Sequence, residues 1–124
     1  MTEGGPRLVL VVDDEQQIRD VAALVLEDEG YLVKTASDGQ QALNIVGELV
    51  PDLILLDMRM PVMDGCGFVR EYRSRFDHHA PIVVITAAES AAQRAEEVGA
   101  IGYLEKPFDL DALVGIVRRT VPAS

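Results

Sequence analysis

Asp13, Asp14, Asp57, Thr86 and Lys106 each follow an apolar run, or the gap directly after one, and their types suit phosphoryl chemistry. The runs are Leu8-Val-Leu-Val-Val12, Leu53-Ile-Leu-Leu56, Ile82-Val-Val-Ile85 and Ile101-Gly-Tyr-Leu104. Three carboxylates crowded into one site raise each other's pKa and disfavour full ionisation, a conflict that a divalent cation removes. Mg²⁺ prefers oxygen ligands and commonly uses one or two carboxylates plus a phosphate. Mg²⁺, with Mn²⁺ as a substitute, is therefore the metal expected at Asp13, Asp14 and Asp57. A lysine opposite such a centre helps neutralise phosphoryl oxygens while a carboxylate attacks phosphorus in line. Asp57 is the candidate nucleophile, Lys106 and the Thr86 hydroxyl the candidate phosphoryl ligands, and an aspartyl phosphate the product. No Cys/His cluster competes for a softer metal, since His78-His79 sit before Pro81 and Cys66 stands alone.

These residues converge only if the runs are parallel strands of one sheet, because the carboxyl edge of an open α/β sheet is where ligands bind. The rest of the chain supplies the helices. Ile18, Val21, Ala22 and Val25 repeat at helical spacing, and Glu29-Gly30 ends that segment. Tyr31–Ala36 reads as a second strand, and Ser37-Asp-Gly-Gln40 has capping-box spacing before a helix with Ala42, Val46 and Leu49 inward. After Pro51-Asp52 and the third strand, a loop from Met58 to Gly65 leads to a helix with Phe68, Val69 and Tyr72 on its apolar face. Ala91, Ala95 and Val98 mark a fourth helix ended by Gly99. Asp109 caps a last helix bearing Leu110, Leu113, Val117 and Val121. The pattern is (βα)₅, a doubly wound parallel sheet, for which the flavodoxin-like order 2-1-3-4-5 sets strands 1, 3, 4 and 5 side by side.

Length and composition narrow the function. At 124 residues the chain is expected to be a single domain, 1–124, with a structured core over about 6–121 and a short polar N-terminal leader. The net charge of −10, from 21 acidic and 11 basic residues, argues against direct nucleic-acid binding, which needs a basic footprint. No apolar stretch approaches the roughly 20 residues of a membrane span, and a single cysteine fits a reducing compartment. The expected location is cytoplasmic, with no membrane partner.

The motifs together resemble the receiver domain of two-component response regulators, over essentially the whole chain. The resemblance rests on Val12-Asp13-Asp14-Glu15, on Asp52-Leu-Ile-Leu-Leu-Asp57-Met-Arg-Met-Pro61-Val-Met-Asp64-Gly65, on Thr86-Ala87, and on Gly102-Tyr-Leu-Glu-Lys106-Pro107-Phe108. It implies that Asp57 accepts a phosphoryl group from a phosphohistidine on a sensor histidine kinase or phosphotransfer protein. It implies that Asp14, Asp57 and the backbone carbonyl of Arg59 ligate Mg²⁺, with Asp13 acting mainly through a metal-bound water. Lys106, Thr86 and the backbone N–H of Ala87 would take phosphoryl oxygens, and Pro107 would follow a cis peptide bond. Tyr103 would turn inward as Thr86 moves, reshaping the face of the fourth helix, fifth strand and last helix toward a downstream protein target or effector domain.

Bland readings stand beside these. Asp14 suits a helix N-cap, Asp64-Gly65 a turn into the third helix, His78-His79 a solvated turn, and Tyr103 a core aromatic. Arg59 is expected to modulate the lifetime of the phosphoryl group, pairing at rest with Glu89, while Ala88 leaves the other side open to water. Ile101-Gly102 and Val114-Gly115 replace the charged residues of a familiar dimer face, so a small apolar docking patch around Ile101 is expected instead. A haloacid-dehalogenase-type phosphatase is the enzymatic alternative, but its second Asp would stand where Arg59 is. A flavodoxin-like cofactor binder would have Asp13-Asp14-Glu15 repelling the cofactor phosphate, and a degenerate receiver would act by binding alone.

Overall fold

The computed structural model describes residues 6–87 and 90–123. Five strands alternate with five helices: β1 (Leu8–Val12), α1 (Gln16–Asp28), β2 (Leu32–Ala36), α2 (Gly39–Val46), β3 (Leu53–Asp57), α3 (Gly65–Arg75), β4 (Ile82–Ala87), α4 (Ala91–Val98), β5 (Gly102–Lys106) and α5 (Leu110–Thr120). All strand pairs are parallel, in the order β2-β1-β3-β4-β5, as the run-and-helix alternation predicts. The register sets Val12 beside Leu56, Asp57 beside Ile85, and Ala87 beside Lys106. The ends of β1, β3, β4 and β5 thus share one edge.

The β-branched runs are buried on both faces, as central parallel strands must be. Leu10, Val12, Ile54, Leu56, Ile82 and Val84 face the layer built by α2, α3 and α4. Val9, Val11, Leu53, Leu55, Val83 and Ile85 face the layer of α1 and α5. Phe68 and Tyr72 stack at 5.3 Å between ring centroids, and the Tyr72 hydroxyl accepts the Ala80 N–H at 2.8 Å. Gly99, at φ 67°, closes α4 in the left-handed conformation that glycine tolerates.

Several local expectations shift. The inward stripe of α1 is Ala22 and Leu26, while Val21 is 41% exposed and faces the cleft described below. Strand β2 starts at Leu32 because Tyr31 turns into the core and its hydroxyl donates to the Val121 carbonyl. The cap of α2 is Asp38 rather than Ser37: its carboxylate accepts the Gln41 N–H, and the Gln41 side chain accepts the Ser37 N–H. That helix ends at Val46, so Leu49 lies beyond it and is exposed. Leu110 opens α5 at the cleft rather than joining its buried face. Asp64 and Asp109 cap α3 and α5 as expected, and His78-His79 is an exposed part of the α3–β4 connection.

The loop from Asp57 to α3 is pinned tightly. Gly65 N–H donates to the Met58 carbonyl, and Gly39 N–H to the Met63 carbonyl. A Cβ on Gly65 would meet Met58 Cα at 2.9 Å and the Asp57 carbonyl at 3.0 Å. Gly65→Ala is therefore expected to cost about 1–3 kcal/mol by forcing backbone apart. Gly115, inside α5, would meet only the mobile end of Arg119 at 3.3 Å, so Gly115→Ala should stabilise by about 0.5–1 kcal/mol through helix propensity. Urea midpoints for the two variants measure both, and shifts of the same sign would contradict this account.

Candidate functional site

Asp13 follows β1 directly and is fully buried. Its N–H donates to the Ala36 carbonyl of β2 at 3.0 Å, its Oδ1 accepts the Glu15 N–H at 2.9 Å, and its carbonyl accepts from Arg19 Nη1 at 2.7 Å. Glu15, not Asp14, occupies the N-cap of α1, with no side-chain cap of its own. Asp14 is left exposed to solvent beside the cluster. Asp57, the last residue of β3, is 3% exposed, and its Oδ1 accepts the Arg59 N–H at 3.2 Å. Asp13, Asp14 and Asp57 each bring a carboxylate oxygen within 4.8 Å of the other two.

Lys106 closes β5 and reaches across this edge. Its Nζ lies 2.8 Å from Glu15 Oε1, 3.0 Å from Asp13 Oδ2 and 3.4 Å from Asp57 Oδ2. The buried Asp13 Oδ2 is thus ion-paired with Lys106 and has no other polar partner among the described residues. Burial pushes the Asp57 carboxyl up to about 6, with the charge of Asp13 adding to it and the Arg59 N–H and Lys106 opposing. Burial raises Asp13 in the same way, against the Glu15 N–H and Lys106. For Lys106 burial works against the charged form, but contacts with Glu15 and Asp13 outweigh it and hold the ammonium above its ordinary range.

The cluster opens into a cleft of about 790 Å³ between the start of α1 and the β5–α5 connection. Thr86 and Ala87, Arg59, Pro107 and Phe108 line it together with Asp14, Asp57 and Lys106. Thr86 is 1% exposed and its Oγ1 has no hydrogen-bond partner. The Lys106–Pro107 peptide is cis. Tyr103 is not a core aromatic: it is 42% exposed on β5, and with Ile101, Gly102 and Ile116 it lines a second groove away from the cluster. Ile101 is 59% exposed there, as its position suggested. Ala88 and the Arg59–Glu89 pair lie outside the described residues.

The residues picked out by type thus meet at one edge, yet the motifs do not show what two further residues do there. Arg19 fixes the Asp13 carbonyl, and Glu15 holds Lys106.

Two observations bear on whether the donor set fits a divalent cation. Its oxygens converge, and one buried carboxylate oxygen, Asp13 Oδ2, has only the shared lysine as a partner among the described residues. All are hard ligands of the kind Mg²⁺ takes. Without a cation, burial of the Asp57 charge, with the charge of Asp13 beside it, destabilises the fold. Asp57 sits at about 6 when folded, against about 3.9 when unfolded. The native state therefore holds the extra proton between those values. That stability is fully present below about 3.9 and is lost as pH rises through 6. Discounted for the open side of the site, the loss is about 1–3 kcal/mol at neutral pH. In chelator at pH 7.5, Asp57→Asn should therefore unfold at higher urea than the wild type, with the gap narrowing as pH falls to 4. A gap independent of pH would overturn this assignment.

Comparison with known proteins agrees with the geometry. The sequence model of the response regulator receiver domain matches residues 9–118. A probable transcriptional regulator, ycf27, of Guillardia theta is 42% identical over 94% of this chain and 47% of its own length. Response regulator MprA of Mycolicibacterium vanbaalenii is 39% identical over 94% of this chain and 53% of its own. The chain spans about half the length of the curated relatives it matches. Among solved structures, the chemotaxis response regulator CheY4 of Vibrio cholerae superposes with a TM-score of 0.82 at 37% identity, covering 93% of this chain and 98% of that one. The receiver domain of NtrX from Brucella abortus gives 0.81 at 35% identity, covering 94% and 99%. Profile, relatives and strand order agree, and the chain belongs to the receiver domains of two-component response regulators.

Proposed function

We propose that this receiver accepts a phosphoryl group on Asp57 from a phosphohistidine of a sensor histidine kinase or phosphotransfer protein. The observation that carries the reading is the juxtaposition of a buried carboxylate, a lysine ammonium 3.4 Å from it and two further carboxylates at one strand edge. Asp13, Asp14, Asp57 and the Arg59 carbonyl would hold Mg²⁺. When bound, the cation would offset the carboxylate charges and those of the phosphoryl oxygens. An Asp57 oxygen forms the new bond to phosphorus while the bond to the donor nitrogen breaks. The electron pair returns to the imidazole, which takes a proton from solvent. Lys106 holds one phosphoryl oxygen as a point charge, the unpartnered Thr86 hydroxyl takes another, and the Ala87 N–H a third.

Thr86 moving toward that group vacates space that the outward Tyr103 then enters. The face of α4, β5 and α5, with Ile101 exposed on it, changes shape toward a downstream protein or effector domain. The phosphoryl group is lost by hydrolysis promoted by the same site. The domain is thus a switch rather than a turnover enzyme.

The test is intact mass after incubation with acetyl phosphate and Mg²⁺. The expected result is gain of one phosphoryl group that vanishes in chelator and in Asp57→Asn. If neither acetyl phosphate nor a phosphorylated kinase labels the protein, the degenerate, binding-only reading replaces this one. Arg59, exposed at the cleft mouth, reaches over the phosphoryl group. Its truncation to Ala should shorten the phosphoryl lifetime about fivefold, the worth of one contact of about 1 kcal/mol. Unchanged decay of radiolabelled phosphoprotein would remove that role.

A further inference from the structure

We infer that Glu15 is a resting counter-ion for Lys106, a carboxylate that occupies the ammonium and must leave it when a phosphoryl group enters. The inference rests on the phosphoryl-accepting reading of Asp57.

Of the three carboxylates around Lys106 Nζ, Glu15 is nearest, at 2.8 Å. The other two are buried and held by the backbone N–H groups of Glu15 and Arg59. The Glu15 side chain is 58% exposed. Among the described residues, its carboxylate makes its hydrogen bond to Lys106 alone. Helix capping does not account for it. Glutamate is not a favoured N-cap, and this one makes no side-chain cap. Its oxygen goes instead to a lysine 91 positions away in the sequence.

Position and exposure make Glu15 the exchangeable member of the set. An ion pair exposed to water is weak and breaks easily, and the freed carboxylate regains hydration by swinging out of the cleft. A phosphoryl group offers more charge and three acceptor oxygens, so it wins the ammonium once seated. A cation among the aspartates would take up the charges of Asp13 and Asp57, leaving Glu15 as the anion with which the incoming oxygens compete. The side chain therefore acts through Lys106. It is a positioning residue that sets how readily the site loads.

Glu15→Gln keeps the size and removes the charge. At subsaturating acetyl phosphate with Mg²⁺, it should be phosphorylated about two- to fivefold faster than wild type, the range set by an exposed ion pair. In a Lys106→Ala background the same change should leave the rate unaltered. Equal acceleration in both backgrounds would mean simple repulsion at the cleft mouth and would overturn the inference, as would no acceleration in either. The ¹⁵N signal of the Lys106 side-chain ammonium gives a readout independent of rate. It should differ between wild type and Glu15→Gln at rest and reach a common position after phosphorylation. Identical resting signals would overturn the pairing even if Lys106→Ala is too slow to follow. Failure of wild type to take a phosphoryl group at all, with the resting signals different, would strike the reading of Asp57 and leave the resting pair standing.

Discussion

Two buried carboxylates held against each other and against one ammonium are the constraint on which the structure of this site depends. Asp13 and Asp57 are almost without solvent, and each makes it harder for the other to ionise. Lys106 eases that conflict only in part, because it is shared with Glu15 and lies 3.4 Å from Asp57. A buried charge cluster adds little to stability and often subtracts from it. Its persistence here has to be supported by the scaffold around it.

The scaffold does this by leaving the strand ends no freedom. β3 is buried at every position, and Asp57 is its last residue, so the backbone beneath the carboxylate is fixed by neighbours on both sides. Asp13 is tied through N–H, carbonyl and one carboxylate oxygen to three different partners. The loop beyond Asp57 is confined by Gly65 against Met58 and by Gly39 against Met63. Within it Val62 adopts φ 66°, a region that β-branched residues rarely enter. The adjacent Met63 N–H to Pro61 carbonyl bond, at 2.7 Å, closes the tight turn around it. Hydrophobic packing on both sheet faces thus holds in place an edge that electrostatics alone would spread apart.

How much of this could be read from residues alone follows from what each feature depends on. The strands were legible because long β-branched runs alternate with helical spacings, whereas their order is not written in the residues and came from the few topologies that a doubly wound sheet admits. Asp57 and Lys106 were legible because Asp and Lys are depleted in strands, and Thr86, a residue strands favour, was legible only through its place beside them. The helix faces were less so: Val21 and Leu110 fit the apolar period of their helices, yet a cleft rather than the core lies in front of them. The cap of α2 moved from Ser37 to Asp38 because both side chains suit the role and only local backbone geometry chooses. The roles of Glu15 and Arg19 were not legible for a different reason. Their partners are set by tertiary approach, and a glutamate and an arginine at the start of a helix look like ordinary solvated residues.

Two buried oxygens are short of partners among the described residues: Thr86 Oγ1 has none, and Asp13 Oδ2 has only its ion pair with the shared Lys106. A buried polar atom left without a hydrogen bond costs about 1–3 kcal/mol, and native structures seldom tolerate it away from functional sites. Both atoms belong to residues at the one edge where the charges are crowded, and Thr86 lines its cleft. A ligand that satisfies them would recover free energy that the resting fold forgoes. A domain of this size can hold that deficit because its two packed faces are otherwise complete.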